Sequence, residues 1–368
     1  MDISKIDQNF ALSFEAPPDL VWHSVRVKPF VLYGATYSEE EGLYRRLPKT
    51  VADATNKGVA YLSKNTAGVR VRFLTDSPYI AIHVDEGFAE PFSHMTICGK
   101  CGVSLFVNGE FVKTVMPSYR QIVAGDTAIG GNGVISFDGL LQPYGMKGVY
   151  LAEIFFPLYS TVKNLVVGLK DGATIAEPPR YTHEKPVLFY GSSITQGGCA
   201  SKPGDDYINR LSRMLDTDYI NLGFSGSARG ERVIAEYIAE QNPSVFVLDY
   251  DHNAPNAEHL QNTHYALYET VREKHPETPI ILMTMPTIAG HENRPWHSSR
   301  RAVILETFER AKALGDKNVY FIDCYGAFGE QVNGECGTVD NCHPDSLGFL
   351  RMAEAIYPLL HKLLNGGK

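Results

Sequence analysis

Residues 186–198 have the sequence PVLFYGSSITQGG, in which a short apolar run stops at two adjacent serines, Ser192 and Ser193. A short apolar run bounded by turn residues is typical of a strand buried in a parallel sheet. Two interpretations of the serines are open at this point. Their small hydroxyls can simply fill a tight loop after the strand, or one of them can be a nucleophile held above the end of the sheet.

The alternation of an apolar strand with a helix continues from this stretch to the C-terminus. In RVIAEYIAEQ, for example, Val233, Ile234, Tyr237 and Ile238 form one face of a helix. The expected strands of this half are PVLFYG, YINLGF, SVFVLDYD, PIILMTMP and NVYFIDC. Strands that alternate with helices in this way predict a three-layer α/β domain with a five-stranded parallel sheet over residues 185–368.

The first half of the chain has a different period. VRVRFLTD and YIAIHVDE alternate apolar and polar residues, which is typical of half-buried strands. Asn108-Gly109 lies between two apolar runs and predicts a β-hairpin. Many short strands separated by turn residues predict an all-β domain, a β-sandwich or jelly roll, over residues 1–184. The expected junction with the second domain is RYTHEKP, residues 180–186.

Length and charge limit the organisation and the partners of the protein. The chain has 368 residues, which favours two domains over one. Its 34 Lys and Arg and 42 Asp and Glu give a net charge of −8 without a long basic run, which argues against nucleic acid or a membrane as partner. The N-terminal stretch lacks the apolar region of a secretory signal, so we expect a cytoplasmic protein. Whether it forms a homo-oligomer is left open.

The six cysteines fit a reducing compartment, where disulfides are rare. Cys98 and Cys101 have the C-x2-C spacing of a zinc site, but Cys336 and Cys342 lie far from them in sequence. A zinc site needs a second closely spaced pair of ligands, and none is evident. We therefore expect reduced thiols, no metal and no cofactor.

Polar and small residues follow four of the apolar strands in the second half. In open parallel sheets, ligands bind in the loops at the carboxyl ends of the strands. The residues at these positions are, in chain order, Ser192 and Ser193, then Asn221, Gly223 and Gly226, then Asn253, and finally Asp340 and His343.

These loops resemble, in order, the signature blocks of the SGNH (GDSL-type) hydrolase superfamily. The first block resembles G-D-S-[LI], with Ser192 in place of the aspartate, and puts the nucleophile at Ser193. The last block, D-x-x-H, is intact as Asp340 and His343. The resemblance implies that His343 takes the proton of Ser193 and that Asp340 orients the imidazole. Taken alone, Asp340 could instead cap a turn.

The middle blocks imply an oxyanion hole. The second block aligns its glycine with Gly226, and the third aligns G-x-N-D with residues 251–254, where Asn253 is kept and the flanking glycine and aspartate are not. The backbone N–H groups of Ser193 and Gly226 and the amide of Asn253 would then stabilise the tetrahedral intermediate. Each residue also has a plainer interpretation, because Gly226 can be a turn glycine and Asn253 can end a strand.

The order of the two domains implies a substrate class. EGLYRRLP, residues 41–48, resembles the motif of the β-domain that precedes some bacterial members. The arrangement resembles bacterial carbohydrate O-acetylesterases, in particular the mannan acetylesterases of carbohydrate esterase family 17, and implies acetylated manno- or xylo-oligosaccharides as substrates. Candidate contacts are Asp251, His252 and Trp296; this tryptophan on a rim loop could stack on a sugar or anchor the loop.

Two other functions are open on the sequence alone. An acyltransferase would use the same serine chemistry with an alcohol in place of water. A sugar-binding protein with an inactive hydrolase half is the second alternative, and the intact set of Ser193, Asp340 and His343 argues against it.

Overall fold

The computed structural model describes residues 14–89, 92–118, 121–122, 133–143, 145–290, 294–329 and 336–366. Residues 1–13, which contribute to the expectation of no secretory signal, lie outside the described residues. Within the described ranges, no helix is long and apolar enough to cross a bilayer.

The first half consists mainly of antiparallel strands. These strands are β1 (Leu20–Ser24), β2 (Val31–Tyr33), β3 (Thr36–Ser38), β4 (Leu43–Arg45), β5 (Arg70–Thr75), β6 (Ile80–Ala89), β7 (Val103–Val107), β8 (Glu110–Val115), β9 (Ile135–Leu141), β10 (Tyr150–Phe155), β11 (Ser160–Lys170) and β12 (Ile175–Ala176). One sheet has the order β1-β11-β6-β9, and a second has the order β12-β5-β10-β7-β8 with β2 on β5. The predicted all-β first half is confirmed.

The two sheets share one hydrophobic core, as in a β-sandwich. Val71 and Phe73 of β5 and Ile82 and Val84 of β6 belong to the same cluster of buried side chains. The alternation that predicted these strands therefore places their apolar side chains between the sheets. The hairpin at Asn108-Gly109 joins β7 to β8, and both of its turn residues have positive φ, as a type I′ turn requires.

The first half also contains short helices that the sequence pattern did not predict. They are α1 (Lys49–Thr55), α2 (Lys57–Leu62) and α3 (Ile97–Cys101). The side chain of Asn56 caps α2 by accepting a hydrogen bond from the backbone N–H of Val59 at 2.8 Å. These helices are too short to show a clear helical period in the sequence.

The second half is the three-layer α/β domain that was predicted. Its parallel sheet has the order β14-β13-β15-β16-β17. The strands are β13 (His183–Gly191), β14 (Thr217–Gly223), β15 (Val245–Asp249), β16 (Ile280–Met283) and β17 (Val319–Ile322). The helices are α4 (Ser193–Gln196), α5 (Tyr207–Leu215), α6 (Arg232–Ala239), α7 (Ala257–Lys274), α8 (Pro295–Ala313) and α9 (Ser346–Leu364). Strand β13 begins within the stretch expected to be the junction.

Strand β13, which lies between β14 and β15, buries side chains on both faces of the sheet. Leu188 and Tyr190 pack in one core cluster, and Val187 and Phe189 pack in the other. Residues of the first half join both clusters: Leu47, Ala52, Val59 and Leu62 join the first, and Ala67, Met95, Leu158 and Tyr159 join the second. The core of the second half is therefore partly built from the first half.

Candidate active site

Ser192 and Ser193 follow β13 directly, and their side chains have different partners. Ser192 caps α4, because its Oγ accepts a hydrogen bond from the N–H of Ile194 at 3.1 Å. The chain reaches this turn through Gly191, where an added Cβ would lie 2.2 Å from the carbonyl oxygen of Asp249. Ser193 is the first residue of α4, and its Oγ points to the other side of the turn, toward His343.

The residues predicted to be catalytic lie within hydrogen-bond distance of one another. Ser193 Oγ is 2.9 Å from His343 Nε2, and His343 Nδ1 is 2.8 Å from Asp340 Oδ2. The other carboxylate oxygen, Asp340 Oδ1, accepts the backbone N–H groups of His343 at 2.7 Å and of Cys342 at 3.1 Å. An imidazole that donates from Nδ1 to a carboxylate keeps Nε2 free to accept a proton from the serine.

The loop before α9 holds Asp340 in its charged form. Partial burial acts against the charge, but the hydrogen bonds from the backbone and side chain of His343 outweigh it and keep the pKa of Asp340 below its ordinary value. Backbone bonds close this loop, with the N–H of Val339 donating to the carbonyl oxygen of His343 at 2.9 Å. A charged carboxylate fixed in this way can orient the imidazole of His343.

The three expected oxyanion donors belong to three separate loops at the same edge of the sheet. Ser193 opens α4, and the first N–H groups of a helix have no partner within it. Gly226 has a φ of +65°, and apart from its two neighbours in the chain no described residue has a heavy atom within 4 Å of the position that a Cβ would take. Asn253 ends a short 3-10 helix after β15, and its Nδ2 donates to the carbonyl oxygen of Phe224 at 2.8 Å.

The three candidate substrate contacts have different environments. Asp251 is buried, 1% exposed, and its Oδ2 accepts the N–H of Met285 at 3.0 Å. Burial raises the pKa of Asp251 to about 7. His252 packs between Cys342, whose Sγ is 3.2 Å from Nε2, and the ring of Trp296. Burial, and then the proximity of His343, lower the pKa of His252 to about 3, so its imidazole is neutral.

Trp296 lies in a helix, so the prediction that it belongs to a loop was wrong. It follows Pro295 at the start of α8, where proline is favoured because its missing N–H needs no partner. Residues 291–293 of the same stretch lie outside the described residues. The indole is 42% exposed, and the guanidinium of Arg300 stacks 3.9 Å from the centre of its ring. The indole is therefore both held in place and open to solvent.

His252 and Trp296 line a cavity of about 330 Å³ next to the predicted catalytic residues. Its other walls are Met285, Pro286, Thr287, Ile288, His297, Asn341 and Cys342, which do not include Asp251. Asp251 instead supports the wall through its bond to the backbone of Met285. A larger open groove of about 970 Å³ between α6 and α7 is lined by none of the predicted site residues.

Sequence reasoning missed the side chains that the first half brings to this site. The centroid of the His94 ring lies 5.1 Å from that of the His343 ring. Phe92 packs against the core cluster that contains Val187 and Phe189. Tyr159 donates from its hydroxyl to the carbonyl oxygen of Ser193 at 3.1 Å. Burial, and then the proximity of His343, lower the pKa of His94. No period or motif in EPFSHMTICGK marks His94 as part of a site.

In the part of the chain that the structure describes, two groups of side chains lie close enough together to hold a metal ion. One comprises His94, Cys199 and His343, and the other comprises Asp340, Cys342 and His343. Both include His343, whose two ring nitrogens already face Ser193 and Asp340. A metal bound to either group would therefore compete with these hydrogen bonds. All six cysteines are free thiols.

Both halves of the chain match known families. Residues 184–361 match the GDSL-like Lipase/Acylhydrolase family, and residues 20–175 match the N-terminus of SGNH-hydro-type esterases. The chain belongs to the GDSL-like (SGNH-type) hydrolases. A search of the curated proteins finds none that matches this hydrolase.

Solved structures resemble the whole hydrolase, including its first half. A protein from Bacteroides ovatus described as GDSL-like lipase is 26% identical, with a TM-score of 0.80 over 94% of this chain and 98% of that one. The salicylyl-acyltransferase SsfX3 of a tetracycline biosynthetic pathway is 20% identical, with a TM-score of 0.72 over 95% and 98%. A family two carbohydrate esterase from Clostridium thermocellum, in complex with cellohexaose, is 15% identical, with a TM-score of 0.61 over 92% and 100%. The last two likenesses show the fold alone.

Proposed function

We propose that this hydrolase is a serine esterase that removes O-acetyl groups from carbohydrate. The observation on which the proposal rests is the continuous set of hydrogen bonds from Ser193 Oγ through His343 to Asp340. A serine hydroxyl becomes an effective nucleophile when a neighbouring base takes its proton. The same set argues against a sugar-binding protein with an inactive hydrolase half.

In the proposed reaction, His343 Nε2 takes the proton of Ser193 as Oγ attacks the carbonyl carbon of the acetyl ester. The N–H groups of Ser193 and Gly226 and the amide of Asn253 stabilise the negative oxygen of the intermediate. The intermediate collapses when the bond to the sugar oxygen breaks and His343 gives that oxygen its proton. Water then attacks the acetyl-serine by the same route and releases acetate.

The cavity lined by His252, Trp296 and Cys342 supports a neutral sugar as the alcohol part of the substrate. Among the described residues, its lining contains no Asp, Glu, Lys or Arg, so these residues offer no fixed charge to pair with a charged ligand. The exposed indole of Trp296 provides an apolar face on which a sugar ring can stack. The fold shared with carbohydrate esterases adds support by analogy only.

An acyltransferase is the second candidate function, because a structure with this architecture has that activity in its name. The acyl-serine intermediate would be the same, and an alcohol would replace water in the second step. Adding sugar or alcohol acceptors during turnover distinguishes the two functions. An esterase releases free acetate in every case, whereas an acyltransferase transfers the acyl group to the acceptor.

Mass spectrometry of a mixed panel of acetylated manno- and xylo-oligosaccharides tests the substrate and the reaction together. We expect the wild-type enzyme to remove acetyl groups from part of the panel and Ser193→Ala to remove none. If no oligosaccharide loses acetyl groups while 4-nitrophenyl acetate is hydrolysed, the carbohydrate part of the proposal is wrong and the esterase part stands.

A further inference from the structure

Arg46 is a buried arginine of the first half whose described hydrogen bonds all go to backbone carbonyl groups. It is 5% exposed. Two of its acceptors lie in its own half: Nε donates to the carbonyl oxygen of Asn65 at 2.7 Å, and Nη2 donates to that of Leu62 at 2.8 Å. A guanidinium has five donors in a planar arrangement, so the same group can bind further acceptors on its other edge.

The other edge of Arg46 binds the end of a strand in the second half. Nη1 donates to the carbonyl oxygens of Asn221 at 3.1 Å and Gly223 at 2.8 Å, two of the last three residues of β14. The guanidinium also lies 4.8 Å from the centre of the ring of Phe224, the next residue along the chain. Hydrogen bonds from a charged donor are among the stronger ones in proteins. Arg46 therefore joins the first half to the point where the chain leaves the sheet.

This point lies directly before two of the expected oxyanion donors. The carbonyl oxygen of Phe224 accepts the side-chain amide of Asn253 at 2.8 Å and so fixes its direction. It also accepts the backbone N–H of Ser227 at 2.9 Å, which closes the turn around Gly226. A shift of Phe224 would therefore move the amide of Asn253 and the turn that contains Gly226 together.

We propose that Arg46 is a positioning residue for the oxyanion hole, which it holds in place from the first half of the chain through Gly223 and Phe224. The inference rests on the proposed esterase function. Arg46 does not touch substrate; it acts by fixing the carbonyl of Phe224 and thereby the donors around it. Preorganised donors stabilise the transition state only if they stay aimed at the position of the oxyanion.

Arg45 provides a matched control for substitutions at Arg46. It is equally buried, 3% exposed, and adjacent in sequence. Its described hydrogen bonds go to Glu41, to the carbonyl oxygen of Leu47 at 3.1 Å and to Ser63 Oγ at 2.9 Å, all within the first half. If substitutions act only by lowering the stability, those at Arg45 and at Arg46 should change the activity to a similar extent. If Arg46 positions the oxyanion hole, only the substitution at Arg46 should lower kcat.

The test uses the full chain with Arg46→Lys, Arg45→Lys, Asn253→Ala and Ser193→Ala, and 4-nitrophenyl acetate as substrate. We expect Arg46→Lys to lower kcat by about 10- to 100-fold with little change in KM, since small displacements of a reacting group cost this much. Arg45→Lys should keep the kcat of the wild type even if its Tm falls. A boronic acid that forms a tetrahedral adduct with Ser193 should bind Arg46→Lys more weakly by a similar factor.

A double variant separates positioning from an independent effect. If Arg46 acts through the amide of Asn253, the variant with both Arg46→Lys and Asn253→Ala loses less than the product of the two single losses. If Arg46→Lys does not fold, Phe224→Leu, which removes only the ring beneath the guanidinium, should lower kcat in the same direction.

Three results would overturn the inference. The first is an unchanged kcat in Arg46→Lys or, if that variant does not fold, in Phe224→Leu. The second is an equal loss of kcat in Arg45→Lys and Arg46→Lys. The third is a double variant whose loss of kcat equals the product of the losses in Arg46→Lys and Asn253→Ala, and each of the three leaves the esterase function intact. Activity that survives in Ser193→Ala would instead overturn the proposed function, and this inference with it.

Discussion

At the scale of single residues, the adjacent serines provide the sharpest test of the proposed chemistry. Ser193 Oγ faces His343, whereas Ser192 Oγ accepts the N–H of Ile194 at the start of α4. Ser193→Ala should abolish hydrolysis of 4-nitrophenyl acetate. Ser192→Ala should keep most of the activity and lose about 1 kcal/mol of stability, the usual cost of a missing cap. Steady-state kinetics measure the activity of each variant, and thermal unfolding measures its stability. Equal losses of activity in the two variants would contradict the assignment of the nucleophile.

The charge states of His343 and Asp340 predict a pH dependence of the activity. The pKa of Asp340 lies below its ordinary value, so this carboxylate stays ionised as the pH falls and does not itself titrate near neutrality. A general base must be unprotonated to take a proton, so kcat/KM should rise as the pH is raised from acid to neutral. Asp340→Asn should lower kcat by up to about 10⁴-fold with a smaller change in KM, because the imidazole loses its orientation.

A pH series of kcat/KM on a small acetate ester measures this dependence. The enzyme must stay folded over the range, which circular dichroism at each pH checks. A flat profile would argue against His343 as the base, and so would full activity in His343→Ala.

At the scale of secondary-structure elements, the second half was predictable because its strands contain apolar runs and alternate with helices. The side chains of β13 alternate between two core clusters, so the strand had to be apolar on both faces. Helices α1 and α2 could not be predicted in the same way. They are short, and Ala52, Val59 and Leu62 pack in the core of the second half, a partner that local periodicity does not reveal.

The sequence predicted the site residues that follow strands of the parallel sheet, but not those that come from the first half of the chain. Ser193, Asn253 and His343 follow strands of one sheet, so their proximity follows from the parallel topology. His94 comes from another part of the chain, and only the packing of the two halves brings it to His343. Trp296 was predicted to lie in a loop, but it follows Pro295 at the start of a helix, a position where proline is favoured.

The start of α8 contributes a wall of the cavity, and Trp296→Ala tests what that wall does. The only other tryptophan of the chain, Trp22 in β1, is almost equally exposed, 41% against 42%, and provides the control. Trp296→Ala should lower kcat/KM on an acetylated oligosaccharide by about tenfold. The reason is that a stacking contact between the indole and a sugar ring contributes about 1.4 kcal/mol, which corresponds to a tenfold change. The loss on 4-nitrophenyl acetate should be smaller, and Trp22→Ala should change neither. Equal losses on both substrates would show that Trp296 does not contact the sugar.

At the scale of the whole molecule, the two halves are packed too closely to be tested apart. Leu158 and Tyr159 of the first half lie in a core cluster of the second, and the buried Arg70 forms an ion pair with Asp218 across the halves. A fragment that starts near residue 184 would expose this apolar surface and leave Asp218 without its partner. The role of the first half in recognition must therefore be tested in the full chain.

His94 is the residue with which to make that test, because the first half brings it within contact distance of His343. Its imidazole has a lowered pKa and is neutral near pH 7, so it can form a polar wall for a sugar hydroxyl without adding charge beside the base. His94→Ala should lower kcat/KM on acetylated oligosaccharides by about tenfold, or about 1.4 kcal/mol, and should lower the value for 4-nitrophenyl acetate less. The control is His83→Ala in β6, because His83 Nδ1 forms a hydrogen bond with Asp138 Oδ1 at 2.9 Å within the first half. This variant should leave the ratio of kcat/KM on the oligosaccharide to kcat/KM on 4-nitrophenyl acetate unchanged. A ratio that is the same in the wild type, His94→Ala and His83→Ala would mean that His94 shapes the fold at this edge of the sheet and takes no part in choosing the substrate.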